Sequence, residues 1–208
     1  MNLWGRIFAR FYDRFMAATE DAGLAQRRRT LLSAAHGSVI EIGAGTGANL
    51  ARYPAGLTEV VLVEPEQPMA EQLQQHLGRI ASPVRIVQAP AEAIPVPDHS
   101  FDFAVATLVL CTVRDPQQAL SELRRVLKPG GRLLFLEHVR AEDPSVAKWQ
   151  DRLHPLWLRI GHGCHCNRST LEEIRASGFI VESVEHGRLP KAAPIVKPMI
   201  AGVASAPA

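Results

Sequence analysis

Gly43, Gly45 and Gly47 occupy alternate positions in "VIEIGAGTG", directly after a short apolar run. A glycine-rich turn between a strand and a helix lets backbone approach a ligand closely and aims amide groups at it. Gly43, Gly45 and Ala48 also satisfy the loose G-x-G-x-x-G/A spacing of dinucleotide sites. Glu64 ends the next apolar run about twenty residues on, where a carboxylate can accept both hydroxyls of a ribose. This pairing indicates an adenosine-containing cofactor. It leaves a nicotinamide dinucleotide and S-adenosylmethionine both open.

A second cluster, "GHGCHC", places His162, Cys164, His165 and Cys166 within one short segment. A structural zinc site usually takes four ligands, with a C-x2-C hook and a second pair. Here one residue separates the two cysteines, and the best further ligand, His154, stands well before His162. The spacing therefore predicts no metal site, and a Cys164–Cys166 disulfide would be strained. A pocket wall is the better reading, with Cys166 in the core as free cysteine usually is. Cys111 follows an apolar strand and reads equally as pocket lining or as a small buried residue. His138 ends a later strand, near the crevice where ligands bind in parallel sheets. It could accept a proton, orient a substrate or be purely structural.

These residues need elements to hold them. "SVIEIGAGTG", "EVVLVEP", "VRIVQAP", "FDFAVATLVL" and "RLLFLEHV" read as five buried strands. "ANLARYP" reads as a helix ended by Pro54, a further helix runs to about Gly78, and "DPQQALSELRRVLKPGG" reads as a helix with Asp115 as N-cap and Pro116 at its first position. Alternating strands and helices imply an α/β fold with a parallel sheet covered on both faces. Residues 145–162 and 168–177 read as helices, and "FIVESVEHGRL" and "IVKPMIAGVAS" as an antiparallel hairpin at the sheet edge. The tail "SAPA" reads as frayed. There is no repeat or linker, so 1–208 reads as one domain: a helical cap at 1–35, a cofactor-binding core at 37–139, and substrate-side helices with the edge hairpin at 140–208.

The 208 residues are 47% hydrophobic and 21% charged, an ordinary globular balance, and a net charge of +2 argues against nucleic acid. Three cysteines without a signal peptide suit a reducing cytoplasm. No apolar run approaches the ~18 residues that would span a bilayer. In the cap, Trp4, Phe8, Phe11 and Phe15 form one helical stripe and Arg6, Arg10 and Arg14 another. The stripe reads first as packing on the chain's own domain, with a lid over a pocket and a peripheral membrane contact as alternatives. Arg27, Arg28 and Arg29 read as a solvated helix face.

"VIEIGAGTG", "VLVEPEQPMAEQL", "AEAIPVPDHSFDFAVATLVL" and "LRRVLKPGGRLLFLEH" resemble, in order, the motifs of class I S-adenosylmethionine-dependent methyltransferases over residues 37 to 139. The resemblance implies a Rossmann-like, seven-stranded, mostly parallel sheet whose last strands form an antiparallel hairpin, and S-adenosylmethionine as cofactor. Gly43, Ala44, Gly45, Thr46 and Gly47 would wrap its methionine part, with Glu41 supporting that loop. Glu64 would hold the ribose, Pro65 and Met69 would lie along the adenine, and Ala91 and Glu92 would flank the purine edge. Thr107 and Leu108 would offer backbone to the amine. Pro90 stands where this family often has an aspartate, so adenine recognition would lean on backbone or on Glu92.

A narrower resemblance rests on "ATLVLCTV", "LEHV", Trp149, Gln150, Pro155, Trp157, Gly163, Cys164, Arg168 and "IVKPMIAG". These look like the methyltransferase-like family 7 thiol methyltransferases. The resemblance implies S-methylation of a small thiol, with Cys111, His154, Trp157 and Cys164 lining the acceptor pocket and His138 as the candidate catalytic residue. The animal members begin with a hydrophobic anchor and this sequence does not, so membrane attachment is not carried over. Trp149, Leu153, Leu156, Trp157 and Ile160 would make the acceptor wall apolar. The sparse acid-base equipment favours a thiol, with a pKa of about 8.5, over a phenol near 10. A quinone carbon, a phenol, a phospholipid amine or a metalloid held by Cys111, Cys164 and Cys166 remain alternative acceptors. An oxidoreductase using a dinucleotide and a non-catalytic cofactor-binding protein are the other classes.

Overall fold

The computed structural model describes residues 3–207, apart from the side chains at 3, 4 and 6–8. The chain opens with helix α1 (Leu3–Thr19). A wide helical turn at Glu20–Leu24, with Gly23 at φ 127°, kinks it into α2 (Ala25–Leu32). Strands β1 (Ser38–Ile42), β2 (Glu59–Val63), β3 (Val84–Val87), β4 (Phe101–Thr107) and β5 (Leu127–His138) follow, with α3 (Gln67–His76) and α4 (Pro116–Val126) among their connections. Helices α5 (Pro144–Ile160) and α6 (Thr170–Ala176) precede β6 (Ile180–Arg188) and β7 (Pro198–Ser205).

The strands form one sheet in the order β3-β2-β1-β4-β5-β7-β6. The first five are parallel, while β7 runs antiparallel to both β5 and β6. All five residues of β1 are buried, as expected for a strand covered on both faces. One face packs Ile40, Ile42, Val61, Ala104, Leu133 and Phe135 with Leu120 and Leu123 of α4 and Ile174 of α6. The other packs Val39, Val60, Leu62, Phe103 and Leu134 with Leu32 of α2 and Leu73 of α3. The strand order reverses between β1 and β4, so the loops leaving their carboxyl ends open a crevice there.

Three expected elements differ. "ANLARYP" forms a single 3₁₀ turn, Leu50–Arg52, not a helix. Asn49 turns its side chain inward to Glu41 and Thr107, and Pro54 lies too close for a second turn to form. β4 stops at Thr107 because Leu108 takes φ 57°, a left-handed conformation unusual for a branched residue. The tail is not frayed up to its penultimate residues: Ser205 belongs to β7, and Ala206 is buried and donates to the carbonyl of Gly131. Asp115 caps α4 as the sequence predicts, accepting from the Gln118 amide at 3.0 Å.

Candidate active site

The glycine loop leaves β1 at the switch point. A side chain on Gly43 would overlap the Val109 side chain, which holds the loop against the segment after β4. A side chain on Gly45 would meet nothing nearer than 3.9 Å, so that stretch of backbone faces open space. Glu64, at the end of the adjacent β2, is buried and accepts from the Gly45 amide at 2.8 Å and the Glu66 amide at 2.9 Å. Burial pushes its carboxyl up, against these two hydrogen bonds. Glu41 does not touch the loop amides. It accepts from Asn49, just past the loop, and from the Tyr53 hydroxyl, and burial pushes it up to about 7.

Arg28 lies between these groups. It is 3% exposed, whereas Arg27 and Arg29 face solvent, so the solvated-face reading fails for the middle arginine. Its guanidinium donates to Glu20 at 2.9 Å, Asn49 at 3.2 Å and Thr107 at 2.7 Å. Asn49 also donates to Thr107 at 2.9 Å. The result is a polar network joining the helical cap, the glycine loop and the end of β4. A small cavity of about 30 Å³ sits on it, lined by Tyr12, Arg28, Glu41, Gly45, Thr107 and Leu108 among others. A neighbouring cavity of about 150 Å³ adds Asp13, Met16 and Glu20 from the cap. Sequence reading missed Arg28, Asn49, Tyr12 and Asp13.

The cap covers the glycine loop. Gly5, Ala9 and Thr19 are buried, Tyr12 and Met16 are half-buried, and the Thr46 hydroxyl donates to Asp13. Phe11 and Phe15 are 53% and 71% exposed, so these members of the aromatic stripe do not pack on the domain. The side chains of Trp4 and Phe8 lie outside the described residues.

Pro65, Met69, Ala91 and Glu92, also expected at the cofactor, line neither cavity. Met69 and Ala91 are buried and Pro65 is exposed. Glu92 turns one oxygen to the Arg114 and Asp115 amides ahead of α4, at 2.7 and 3.1 Å. The Leu108 amide donates to the Leu136 carbonyl, so it is not offered to a ligand.

The fold also joins three residues far apart in sequence. The Cys111, His138 and Cys164 side chains are all buried, and their sulfur and nitrogen atoms lie within 4.8 Å of one another. His138 Nε2 is 3.0 Å from Cys164 Sγ, and Trp157 Nε1 donates to the same sulfur at 3.2 Å. The Cys111 thiol hydrogen bonded to it pulls the Cys164 thiol down, outweighing burial, with His138 adding to the effect; Cys111 is pushed up in turn. Burial lowers His138, but its contact with Cys164 prevails and the imidazole is raised. Glu137 is buried, is pushed up to about 7 by that burial, and accepts from the Val109 and Leu110 amides at 3.0 Å each.

His154 is not part of this group. Its Nε2 meets His165 Nδ1 at 3.0 Å. Cys166 is core, packed with Ile195, Val196, Leu153 and Trp157. The apolar wall expected from α5 is corrected: Trp149, Leu156 and Ile160 are 53–57% exposed. Ala147 and Gln150 are the buried residues of α5, and the Gln150 side-chain nitrogen reaches the carbonyls of Val139, Cys166 and Ile195 within 3.0 Å.

The family model described as "Methyltransferase domain" matches residues 40–135. Human thiol S-methyltransferase TMT1A is 31% identical over 98% of this chain and 89% of its own length. Rat and human thiol S-methyltransferase TMT1B are each 40% identical, over 68% and 71% of this chain. The chain spans 59% and 63% of those two relatives. Among solved structures, an S-adenosylmethionine-dependent methyltransferase of Thermotoga maritima superposes with a TM-score of 0.70 at 24% identity, covering 98% of this chain and all of that one. The N-methyltransferase NodS of Bradyrhizobium japonicum gives 0.66 at 17% identity, over 91% of this chain and 99% of that one. Both share the fold.

Proposed function

The chain belongs to the family of the thiol S-methyltransferases TMT1A and TMT1B, and on that footing we propose that it moves a methyl group from S-adenosylmethionine to the sulfur of a small apolar thiol. The observation that carries this reading is the reach of the TMT1A match, which extends beyond the cofactor half into α5, α6 and the hairpin. Matches to ubiquinone/menaquinone C-methyltransferases stop at 54–55% of the chain.

The cavity over the glycine loop suits the cofactor. It has open backbone at Gly45 and is lined by both a buried cation and a buried carboxyl, and at about 30 Å³ it must widen to admit the whole cofactor. When bound, S-adenosylmethionine supplies an activated methyl group on a positively charged sulfur. Arg28 would pair with its carboxylate, and Glu41, its carboxyl pushed up to about 7, lines the same cavity. Glu64 keeps acceptor capacity for ribose hydroxyls, because each of its oxygens takes one backbone amide. Tyr12 and Asp13 of the cap keep water from the loop, which strengthens every polar contact beneath them.

Cys111, Cys164 and Trp157 wall the acceptor side, where the segment after β4 meets the turn after α5. A thiol ionises near pH 8.5, so it needs little help from a base. His138 already has Nε2 against Cys164, which suits an orienting residue more than a free proton acceptor. The three cysteines are free thiols, which supports a reducing cytoplasm as the setting. The test is methylthioether formation with labelled cofactor across thiols, phenols and quinols of matched size. Thiols should dominate, and faster turnover of phenols or quinols would replace this reading.

A further inference from the structure

We propose that Cys111, His138 and Cys164 form a binding site for a thiophilic d10 cation, of which zinc(II) is the representative. Residues 162–166 alone hold too few suitably spaced ligands. The fold supplies the others from elsewhere: Cys111 from the segment after β4, and His138 from the end of β5. Two sulfurs and one imidazole nitrogen are a donor set that soft and borderline cations select.

The geometry is close to what such an ion needs. With metal–sulfur distances of about 2.3 Å and metal–nitrogen of about 2.0 Å, tetrahedral donors stand roughly 3.5–3.8 Å apart. The three donor atoms already lie within 4.8 Å, with His138 Nε2 and Cys164 Sγ at 3.0 Å. Shifts on the order of an ångström convert one arrangement to the other.

The donors are also held in place. The His165 amide donates to the Cys111 carbonyl at 2.8 Å, tying the segment that carries Cys111 to the one that carries Cys164. Arg168 brackets Cys111 by donating to the carbonyls of Leu110 and Val113. Glu137 takes the Val109 and Leu110 amides just before it. Trp157 donates to Cys164 Sγ at 3.2 Å, the kind of outer contact that steadies a ligating thiolate.

Charge and access agree. Cys111, His138 and Cys164 are only 2%, 5% and 8% exposed. A divalent cation with two thiolates and a neutral imidazole carries no net charge, the state that a buried site tolerates. Binding releases two protons to solvent and leaves both sulfurs as thiolates and the imidazole neutral. Cys164, on the turn after α5, is the most exposed of the three and the donor nearest to solvent. Three protein donors leave a fourth position for water or an added thiol. The proposal does not depend on which acceptor the enzyme methylates.

The experiment is a metal titration of the full chain, reduced with a phosphine and stripped with a chelator. Cobalt(II) alone should bind at one equivalent and give intense near-ultraviolet sulfur-to-metal absorption, which one equivalent of zinc(II) abolishes. Cys111→Ser and Cys164→Ser should each weaken binding by more than about 100-fold. His138→Asn should weaken it as well, and Cys166→Ser should leave it intact. No saturable band in the wild type, or full binding in both Cys111→Ser and Cys164→Ser, overturns the proposal. Should those variants fail to fold by circular dichroism, the wild type decides. Zinc(II) must then protect Cys111 and Cys164 from alkylation, read by mass spectrometry, and equal labelling with and without zinc overturns it.

Discussion

Arg28 of α2 donates to the Thr107 hydroxyl at the end of β4 at 2.7 Å, and through that bond the helical cap is fastened to the crevice of the sheet. The same guanidinium serves Glu20 and Asn49. Arg28→Met leaves Glu20 with Arg52 alone and leaves Asn49 and Thr107 to each other, so the loss is that of the charge-assisted hydrogen bonds, roughly 1.5–3 kcal/mol of stability. Arg28→Lys keeps the charge but loses the fork, and should recover part of it. Urea unfolding of the three proteins measures this. Equal stability of Arg28→Met and wild type would mean the network is ornamental to folding.

Glu64 ties the end of β2 to the glycine loop, and on the proposed function it would hold the ribose. Glu64→Ala removes a charged acceptor from a ligand hydroxyl and strands the Gly45 and Glu66 amides. Affinity for S-adenosylhomocysteine should fall by roughly 1.5–3 kcal/mol. Unchanged calorimetric affinity would place the ribose elsewhere.

Glu41 makes a pH prediction. Burial pushes its carboxyl up to about 7, outweighing the hydrogen bonds from Tyr53 and Asn49 and the charge of Arg28. A carboxyl raised on folding contributes stability that is complete below its unfolded pKa and is lost as pH rises through the folded one. The window is therefore from about 4.5 to about 7. The stability of wild type relative to Glu41→Gln should decline across that window by on the order of 3 kcal/mol. A difference independent of pH would show that the group titrates normally.

The strands were legible because runs such as "EVVLV" are apolar, short and bounded by turn residues, and the cap of α4 was legible because Asp115-Pro116 is a local signal. Arg28 was hidden in a basic triplet. The clue was its spacing, four residues from Leu24 and four from Leu32, both fully buried. The α5 faces were misread because the helix is apolar on more than one side, and hydrophobicity cannot say that Gln150 points inward to three carbonyls while Trp149 points out. In the sequence Cys111 and Cys164 group as pocket lining, and with Cys166 as an alternative metalloid-binding set, while His138 stands separately. The contact among Cys111, His138 and Cys164 depends on where β4, β5 and the turn after α5 end, which is tertiary information.

The cap should act as a water seal. Tyr12, Asp13 and Met16 line the larger cavity, and Asp13 accepts from Thr46 in the glycine loop. Deleting residues 1–16 should lower turnover by about 10- to 100-fold, because the reacting centre is wetted and loosened. The sheet core lies on other contacts, so cooperative unfolding should persist. Intact turnover with a small acceptor after the deletion would reduce α1 to a packing element.

The acceptor's own ionisation should govern the rate. Among the buried titratable groups near Cys164, His138 has its Nε2 in contact with that cysteine, and Glu137 holds the Val109 and Leu110 amides. Neither is poised as a dedicated base, and a thiolate needs none. With chemistry limiting, the rate below the acceptor's pKa should follow the thiolate fraction, so more acidic thiols should reach their plateau at lower pH. Removing His138 as His138→Asn should then cost less than the ~100-fold expected for an essential base. The measurement is the pH dependence of methylthioether formation for a series of thiols of similar size. A plateau pH that stays fixed across the series would assign the titrating group to the enzyme, and with it the proton transfer.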